Sequence, residues 1–214
     1  MANLTISTFE IEHSHQTIKS NRGAEKQFNC FKCYACSMIS NAIIRLVPPS
    51  SDLVDDVREA LIESYELHKA FLLWAKPNPS REDVSSTMEI AINNFRDKTE
   101  EFRFFILRVA DSKLVGCVGL IIRDIAIPFF EFGYWVRSSE MGKGYISTAV
   151  ELLEEYAVSE LGAKRLEIKM AESNNRSKLV AERVGFEYEA FLHADRELPS
   201  GKVDNTHIYY KTYS

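Results

Sequence analysis

The chain is 214 residues long, 45% hydrophobic and 27% charged, with 26 basic and 31 acidic side chains and a net charge of −5. At roughly 150 residues per domain this suits one large domain or one domain with an appendage, and the composition argues against wholesale disorder. The acidic excess argues against a nucleic-acid partner held by general electrostatics, and no apolar run approaches the roughly 18 residues that would make the chain a membrane protein.

Residues 1–40 carry no sustained hydrophobic period and gather Ser, Asn, Gln, His and Cys. They are expected to form an extension of unassigned order in front of a single domain over 41–214. The first 30 residues lack the apolar core of a signal peptide, which predicts a chain that starts here and stays in the cytoplasm. Cys30, Cys33 and Cys36 follow a C-x2-C-x2-C spacing in this extension, whereas Cys117 lies far away in an apolar run. A structural zinc takes four ligands and an iron–sulfur cluster usually takes four thiolates, so no metal is expected. Four cysteines are also too few for a disulfide scaffold in a chain of this length.

In chain order, Ala42–Val47 reads as a strand stopped by Pro48 and Pro49, since proline cannot continue a ladder. A helix is predicted from about Asp52, with Leu53, Val54, Val57, Leu61, Ile62 and Tyr65 at spacings of three and four. Past Pro77 and Pro79, Ser80 and Asp83 have the spacing of a capping box, with Asp for the usual Glu. Val84, Met88, Ala91, Ile92 and Phe95 then trace one helix face. Phe102–Ala110, Leu114–Ile122 and Phe129–Val136 read as strands, the first two joined by the turn Asp111-Ser112-Lys113. Gly142-Lys143-Gly144 leads into a helix built on Ile146, Ala149, Val150, Leu153, Tyr156 and Ala157 that ends at Gly162. Arg165–Ala171 is a further strand and Asn175–Val184 a helix closed by Gly185; strands near Phe186–Leu192 and His207–Thr212 end the chain. Adjacent strands followed by strand–helix–strand alternation predict an α/β fold with a mixed, mostly antiparallel sheet and helices on both faces.

Two segments carry chemistry. In the first, the strand Glu131-Phe-Gly-Tyr134-Trp135-Val136 runs through Met141-Gly-Lys-Gly144-Tyr145-Ile146 into a helix. A strand, a glycine loop and a helix N-terminus make an anion site, because the first helical amides lack internal partners. The spacing fits neither the dinucleotide fingerprint nor the P-loop. In the second, Asn174-Asn-Arg-Ser177 places an amide and a hydroxyl at the next strand–helix junction, where either side chain also suits helix capping.

In this order and separation the two segments resemble the GNAT superfamily of N-acetyltransferases, and most of all its ribosomal-protein (RimJ/RimL-type) branch. The resemblance runs from about Ala42 to the C-terminus and includes G-Y-W-V, G-K-G-Y, E-L-G-A-K-R-L-E-I, N-x-x-S and V-G-F; Leu-Leu-Trp74-Ala is similar to the branch's segment near the acceptor site. It implies acetyl-CoA as cosubstrate, bound between two splayed parallel strands, Phe129–Val136 and Arg165–Ala171. Tyr134 and Val136 would lie along the thioester arm, Met141 at the entry of the cofactor loop, the amides of Gly142, Lys143, Gly144, Tyr145 and Ile146 around the pyrophosphate, and Asn174 at the pantetheine or thiol end. Met141 and Ile146 depart from the family's usual Gln or Arg and Gly or Ala, which leaves amide binding intact.

The implied reaction moves an acetyl group onto a primary amine, most simply a protein N-terminal α-amine, with a small amine or aminoglycoside as the enzymatic alternative. A non-catalytic acetyl-CoA sensor or interaction module is the alternative of another class. Self-association into a homodimer is left open. A protonated amine must lose a proton before attack, and the developing oxyanion needs a donor such as the Val136 amide. Glu131 is the first candidate for the base, because a carboxylate inside so apolar a strand needs a reason, and Glu197 the second; an exposed sheet-face or loop carboxylate is the plain alternative for each. The family's general-acid tyrosine falls at Ala181, so Ser177 takes its place as a hydrogen-bond donor to the thiolate. Trp74 and Trp135 are candidates for the acceptor wall, and core packing is the alternative for both.

Overall fold

The structure is a computed structural model that describes residues 39–214. The expectations for the N-terminal extension and its three cysteines fall outside the described residues. Eight strands form one sheet in the order β1-β2-β3-β4-β5-β6-β8-β7. These are β1 (Ile39–Ser40), β2 (Ile44–Val47), β3 (Glu101–Arg108), β4 (Leu114–Asp124), β5 (Phe129–Val136), β6 (Arg165–Ala171), β7 (Glu187–Glu197) and β8 (Val203–Thr212). Only β5 and β6 pair in parallel; the other neighbours run antiparallel.

The two-residue period of the strands sorts side chains to two cores. Phe102, Phe104 and Ile106 of β3 and Phe130 and Phe132 of β5 join the larger core. Phe105 and Leu107 of β3, with Leu114 and Cys117 of β4, join the smaller one. Helix α4 (Tyr145–Ser159) covers the first face with Ile146, Ala149, Val150, Leu153 and Ala157. Helices α1 (Val54–Glu63) and α3 (Arg81–Asp97) cover the second with Val54, Val57, Ala60, Val84 and Met88. The expected mixed sheet with helices on both faces is what the chain builds. Between α1 and α3 lies one further helical turn, α2 (Tyr65–His68), and α5 (Asn175–Arg183) follows β6.

Helix starts follow the sequence closely. Ser80 and Asp83 form a reciprocal capping box at the head of α3: the Ser80 hydroxyl accepts from the Asp83 amide at 3.0 Å, and the Asp83 carboxylate accepts from the Ser80 amide at 2.9 Å. The expected strand Phe186–Leu192 is longer than its pattern, because β7 continues to Glu197 through register shifts at Tyr188/Ala190 and Leu192/Arg196. Glu197, expected after that strand, is its last residue and pairs with Val203.

Candidate active site

The site begins where β5 and β6 part. Their parallel register runs from Phe129–Arg165 to Phe132–Ile168 and stops, although both strands continue. On its other edge β5 stays paired with β4 as far as Gly116–Val136. The Arg137 amide donates to the Val115 carbonyl at 2.8 Å, which makes Gly116–Val136 a non-hydrogen-bonded pair. The amide and carbonyl of Val136 therefore turn away from β4 and into the gap, and two residues earlier those of Tyr134 do the same. Such an unpaired edge is a row of donors and acceptors for an extended ligand. Gly116 permits the close strand approach here: a Cβ would stand 2.5 Å from the Trp135 carbonyl oxygen.

The cleft continues, over about 440 Å³, along the loop into α4. Gly142 and Gly144 have φ of 79° and 83°, left-handed values that favour glycine. A Cβ at either would meet no atom of the described residues within 4 Å, so these residues leave the space before the loop open. Gly144 caps α4 without a side-chain hydrogen bond, and the first turn holds no acidic residue. The Oγ of Ser147 is shut off from solvent and has no hydrogen-bond partner among the described residues. Glycine loop and open helix end fit a phosphate-bearing ligand.

Across the gap, Asn174 Oδ1 accepts from the Ser177 amide at 3.2 Å and so caps α5. That resolves the capping alternatives in favour of Asn174. The Ser177 hydroxyl instead shares a 2.8 Å hydrogen bond with the Tyr134 hydroxyl. Burial pushes the Tyr134 phenol up to about 12, against the smaller opposing effect of that hydrogen bond, so it keeps its proton at neutral pH.

An acetyltransferase (GNAT) domain model matches residues 44–187. The chain belongs to the GNAT acetyltransferase family. It is 29% identical over 154 residues, 72% of its own length and 81% of the other, to a Bacillus subtilis (strain 168) protein provisionally named ribosomal N-acetyltransferase YdaF. The fold is shared with MccE, a microcin C7 self-immunity acetyltransferase solved with acetyl-CoA and AMP (TM-score 0.73, 26% identity, 81% of this chain and 94% of that one). It is shared too with RimL, a ribosomal L7/L12 α-N-protein acetyltransferase solved with coenzyme A (TM-score 0.74, 18% identity, 82% and 97%). The chain is thus an acetyl-CoA-dependent N-acetyltransferase of the GNAT family.

Not every expected site residue of this acetyltransferase meets at the cleft. Tyr134, Trp135, Val136, Met141, Gly142, Gly144, Tyr145, Ile146, Asn174 and Ser177 line it. The exposed Lys143 side chain turns to Glu140 at 2.8 Å, which leaves its amide as its contribution to the loop. Trp74 is 42% exposed and stands outside the cleft wall, its ring 6.1 Å from that of His68. Glu131 also lies outside the wall: its carboxylate accepts from Arg123 at 2.8 Å and is 3.6 Å from Lys169. Glu197 is exposed at the far end of β7. Buried Cys117 has its thiol pushed up to about 12 by burial, which leaves it unreactive. Among the described residues no group of three His, Cys, Asp or Glu is placed to hold a metal ion, and no helix is long and apolar enough to cross a membrane.

Several residues were missed from the sequence. Glu140 is 3% exposed and is the cleft's one carboxylate among the described residues. It takes Arg108 at 3.0 Å, Lys113 at 3.2 Å and Lys143 at 2.8 Å. Burial would raise its pKa, but the bonds from Lys143 and Lys113 and the charge of Arg108 outweigh it and hold the carboxyl below its ordinary value. The end of α1 clamps the segment after β5. Arg137 pairs with Glu59 at 2.8 Å and Glu63 at 3.2 Å, and Ser64 Oγ accepts from the Ser138 amide at 2.9 Å. His68 is buried against the end of β5, its Nε2 3.0 Å from the Val136 carbonyl oxygen. Its sequence signal is slight: a polar residue on the apolar stripe that passes through Leu61 and Tyr65.

Proposed function

We propose that this acetyltransferase acetylates a protein N-terminal α-amine. The observation that carries this is the charge of the cleft wall. Its one carboxylate among the described residues, Glu140, is already engaged by three cations. A polyamine or aminoglycoside brings several positive charges into a low-dielectric cleft, where each needs a partner. A peptide N-terminus brings a single amine with a pKa of about 8 and a backbone that can pair with strand edges. The ribosomal names of the YdaF relative and of RimL support this reading.

In this assignment the amides from Gly142 to Ile146 hold the pyrophosphate, and the gap-facing groups of Tyr134 pair with the pantetheine arm. The Val136 amide faces the thioester oxygen, where a fixed donor stabilises developing negative charge. Asn174, its Oδ1 used in the cap, keeps its amide hydrogens for the arm. Ser177, backed by Tyr134, offers a hydroxyl to the departing sulfur.

The test is thiol release from acetyl-CoA with a panel of amines. Peptides with a free N-terminus are expected to give kcat/KM at least about tenfold above spermidine, an aminoglycoside or an N-terminally blocked peptide containing lysine, a difference of about 1.4 kcal/mol. Faster turnover of a polyamine or aminoglycoside moves the acceptor to the small-amine class. Saturable acetyl-CoA binding with no amine-dependent release supports a sensor.

A further inference from the structure

We infer that His68 takes the proton shed by the attacking amine, an assignment that rests on the acetyl transfer proposed above. The imidazole is 4% exposed and its Nε2 lies 3.0 Å from the Val136 carbonyl oxygen. A carbonyl can only accept, so Nε2 carries the hydrogen, and in the neutral ring Nδ1 is left as a bare acceptor. No hydrogen bond to Nδ1 occurs among the described residues. The ring is gripped edge-on by Trp135, centroids 5.5 Å apart, so its orientation is fixed by packing as well as by the hydrogen bond.

Position gives this acceptor its meaning. The Val136 carbonyl faces the gap beside the Val136 amide, the donor assigned to the thioester oxygen, and His68, bonded to that carbonyl, is itself part of the cleft wall. Tyr134 sends its hydroxyl to Ser177 on the α5 face of β5, whereas Trp135 packs with the α1 and α3 core on the opposite face. His68 therefore reaches the gap on the side of Trp135, across from the two hydroxyls. Addition to a carbonyl needs room for the nucleophile on one face, and here a base waits there while the sulfur's donor waits on the other. Glu131 and Glu197 occupy no part of the cleft wall.

The step balances within these groups. The neutral amine's lone pair forms the N–C bond, and the carbonyl electrons move to the oxygen at the Val136 amide. Nδ1 takes one proton from the nitrogen. The C–S bond then breaks with its electron pair on sulfur; the Ser177 hydroxyl donates a hydrogen bond to the thiolate, which takes its proton from solvent as His68 releases its own proton to water. Burial lowers the His68 pKa, with the Val136 bond only partly opposing, so the ring is neutral when it must accept. The other titratable groups on the cleft wall are Tyr134, Glu140, Tyr145, Arg176 and Arg183. Histidine is the ordinary side chain whose charge changes between pH 5 and 8.

His68→Gln tests this, because a glutamine amide can still donate to the Val136 carbonyl but is no base. Loss of a general base is worth roughly 100-fold or more, so H68Q is expected to lose about 100-fold in kcat while binding acetyl-CoA within about threefold of wild type by calorimetry. As the pH falls through the lowered pKa of His68, the wild-type log kcat/KM steepens from a slope of about 1, from the amine, to about 2, while that of H68Q stays at about 1. Turnover of H68Q within about threefold of wild type overturns the assignment, since a purely packing histidine would leave it so. Should H68Q not fold, the wild-type profile decides alone: a slope of about 1 overturns the inference. A wild-type chain that binds acetyl-CoA but releases thiol with no amine overturns the acetyl-transfer proposal itself, and this one with it.

Discussion

Tyr134 and Ser177 share one hydrogen bond at the edge of the β5–β6 gap, and each depends on the other for it. Ser177→Ala removes the shorter of the two bonds of the half-buried Tyr134 phenol and leaves the 3.4 Å contact to the Ser177 carbonyl, at a cost of about 1 kcal/mol. The same change removes the hydroxyl assigned to the sulfur. We predict a lower Tm by scanning calorimetry and a kcat reduced about tenfold, roughly 1.4 kcal/mol, with acetyl-CoA affinity nearly unchanged. Equal kcat in S177A and wild type would take Ser177 out of the chemistry. At this scale the sequence was partly legible. A side-chain cap at the head of α5 follows from local spacing, because it acts within one turn, whereas the choice of Asn174 over Ser177 came from the structure. The surroundings of Glu131 do not follow from local spacing, since Arg123 and Lys169 come from the strands on either side. Glu131→Gln is expected to change kcat by less than about threefold, because the carboxylate lies off the cleft wall and general-base loss costs far more; a large loss across pH 6–9 would return the base role to it.

At the scale of elements, the helix starts are local devices and were readable as such. The Ser80–Asp83 box fixes the head of α3. Ser80→Ala is predicted to cost about 1 kcal/mol, or about 2–4 °C in Tm for a chain of this size, with no effect on kcat. The loop before α4 behaves differently, because its glycines serve a ligand as well as a turn. Gly144→Ala must adopt φ near 83°, which disfavours the loop by about 1 kcal/mol and sets a methyl group in the open space before the helix end. A fall in acetyl-CoA affinity of about tenfold, larger than the Tm change implies, is expected by calorimetry; unchanged affinity would move the pyrophosphate elsewhere. β7 was the element least legible. Its register shifts and the φ of 50° at Ala194 break the two-residue alternation, so a period-based reading stops at Leu192 while the strand runs on.

For the whole molecule, the alternation of strands and helices was enough to predict a mixed sheet, and the single parallel pair follows from the α4 crossover between β5 and β6. The parting of that pair was expected from the family resemblance and not from the strand patterns, because it depends on where two separate strands cease to match. Acid stability likewise belongs to the molecule as a whole. Several carboxyls are held below their ordinary values: Asp83 to about 2 by Lys76 and Ser80, Asp111 to about 2 by Arg108 and Lys113, and Glu140 by its three cations against the effect of burial. In each case the unfolded chain, with ordinary carboxyls near 4, binds protons first as the pH falls. The stability these groups contribute is therefore present above about pH 4.5 and lost on the way down to about pH 2. His68, also depressed, has the same sign at a higher range, since the unfolded imidazole protonates from about pH 6.5 downward. Tm is thus predicted to decline gently below about pH 6.5 and steeply below about pH 4.5. High salt should blunt the contributions of exposed Asp83 and Asp111 more than that of buried Glu140. In H68Q the gentle first decline should vanish while the steep one remains. A Tm that holds level or rises between about pH 6.5 and pH 5 in the wild type would show that His68 is not held neutral by burial, and would remove that support for its role beside Val136.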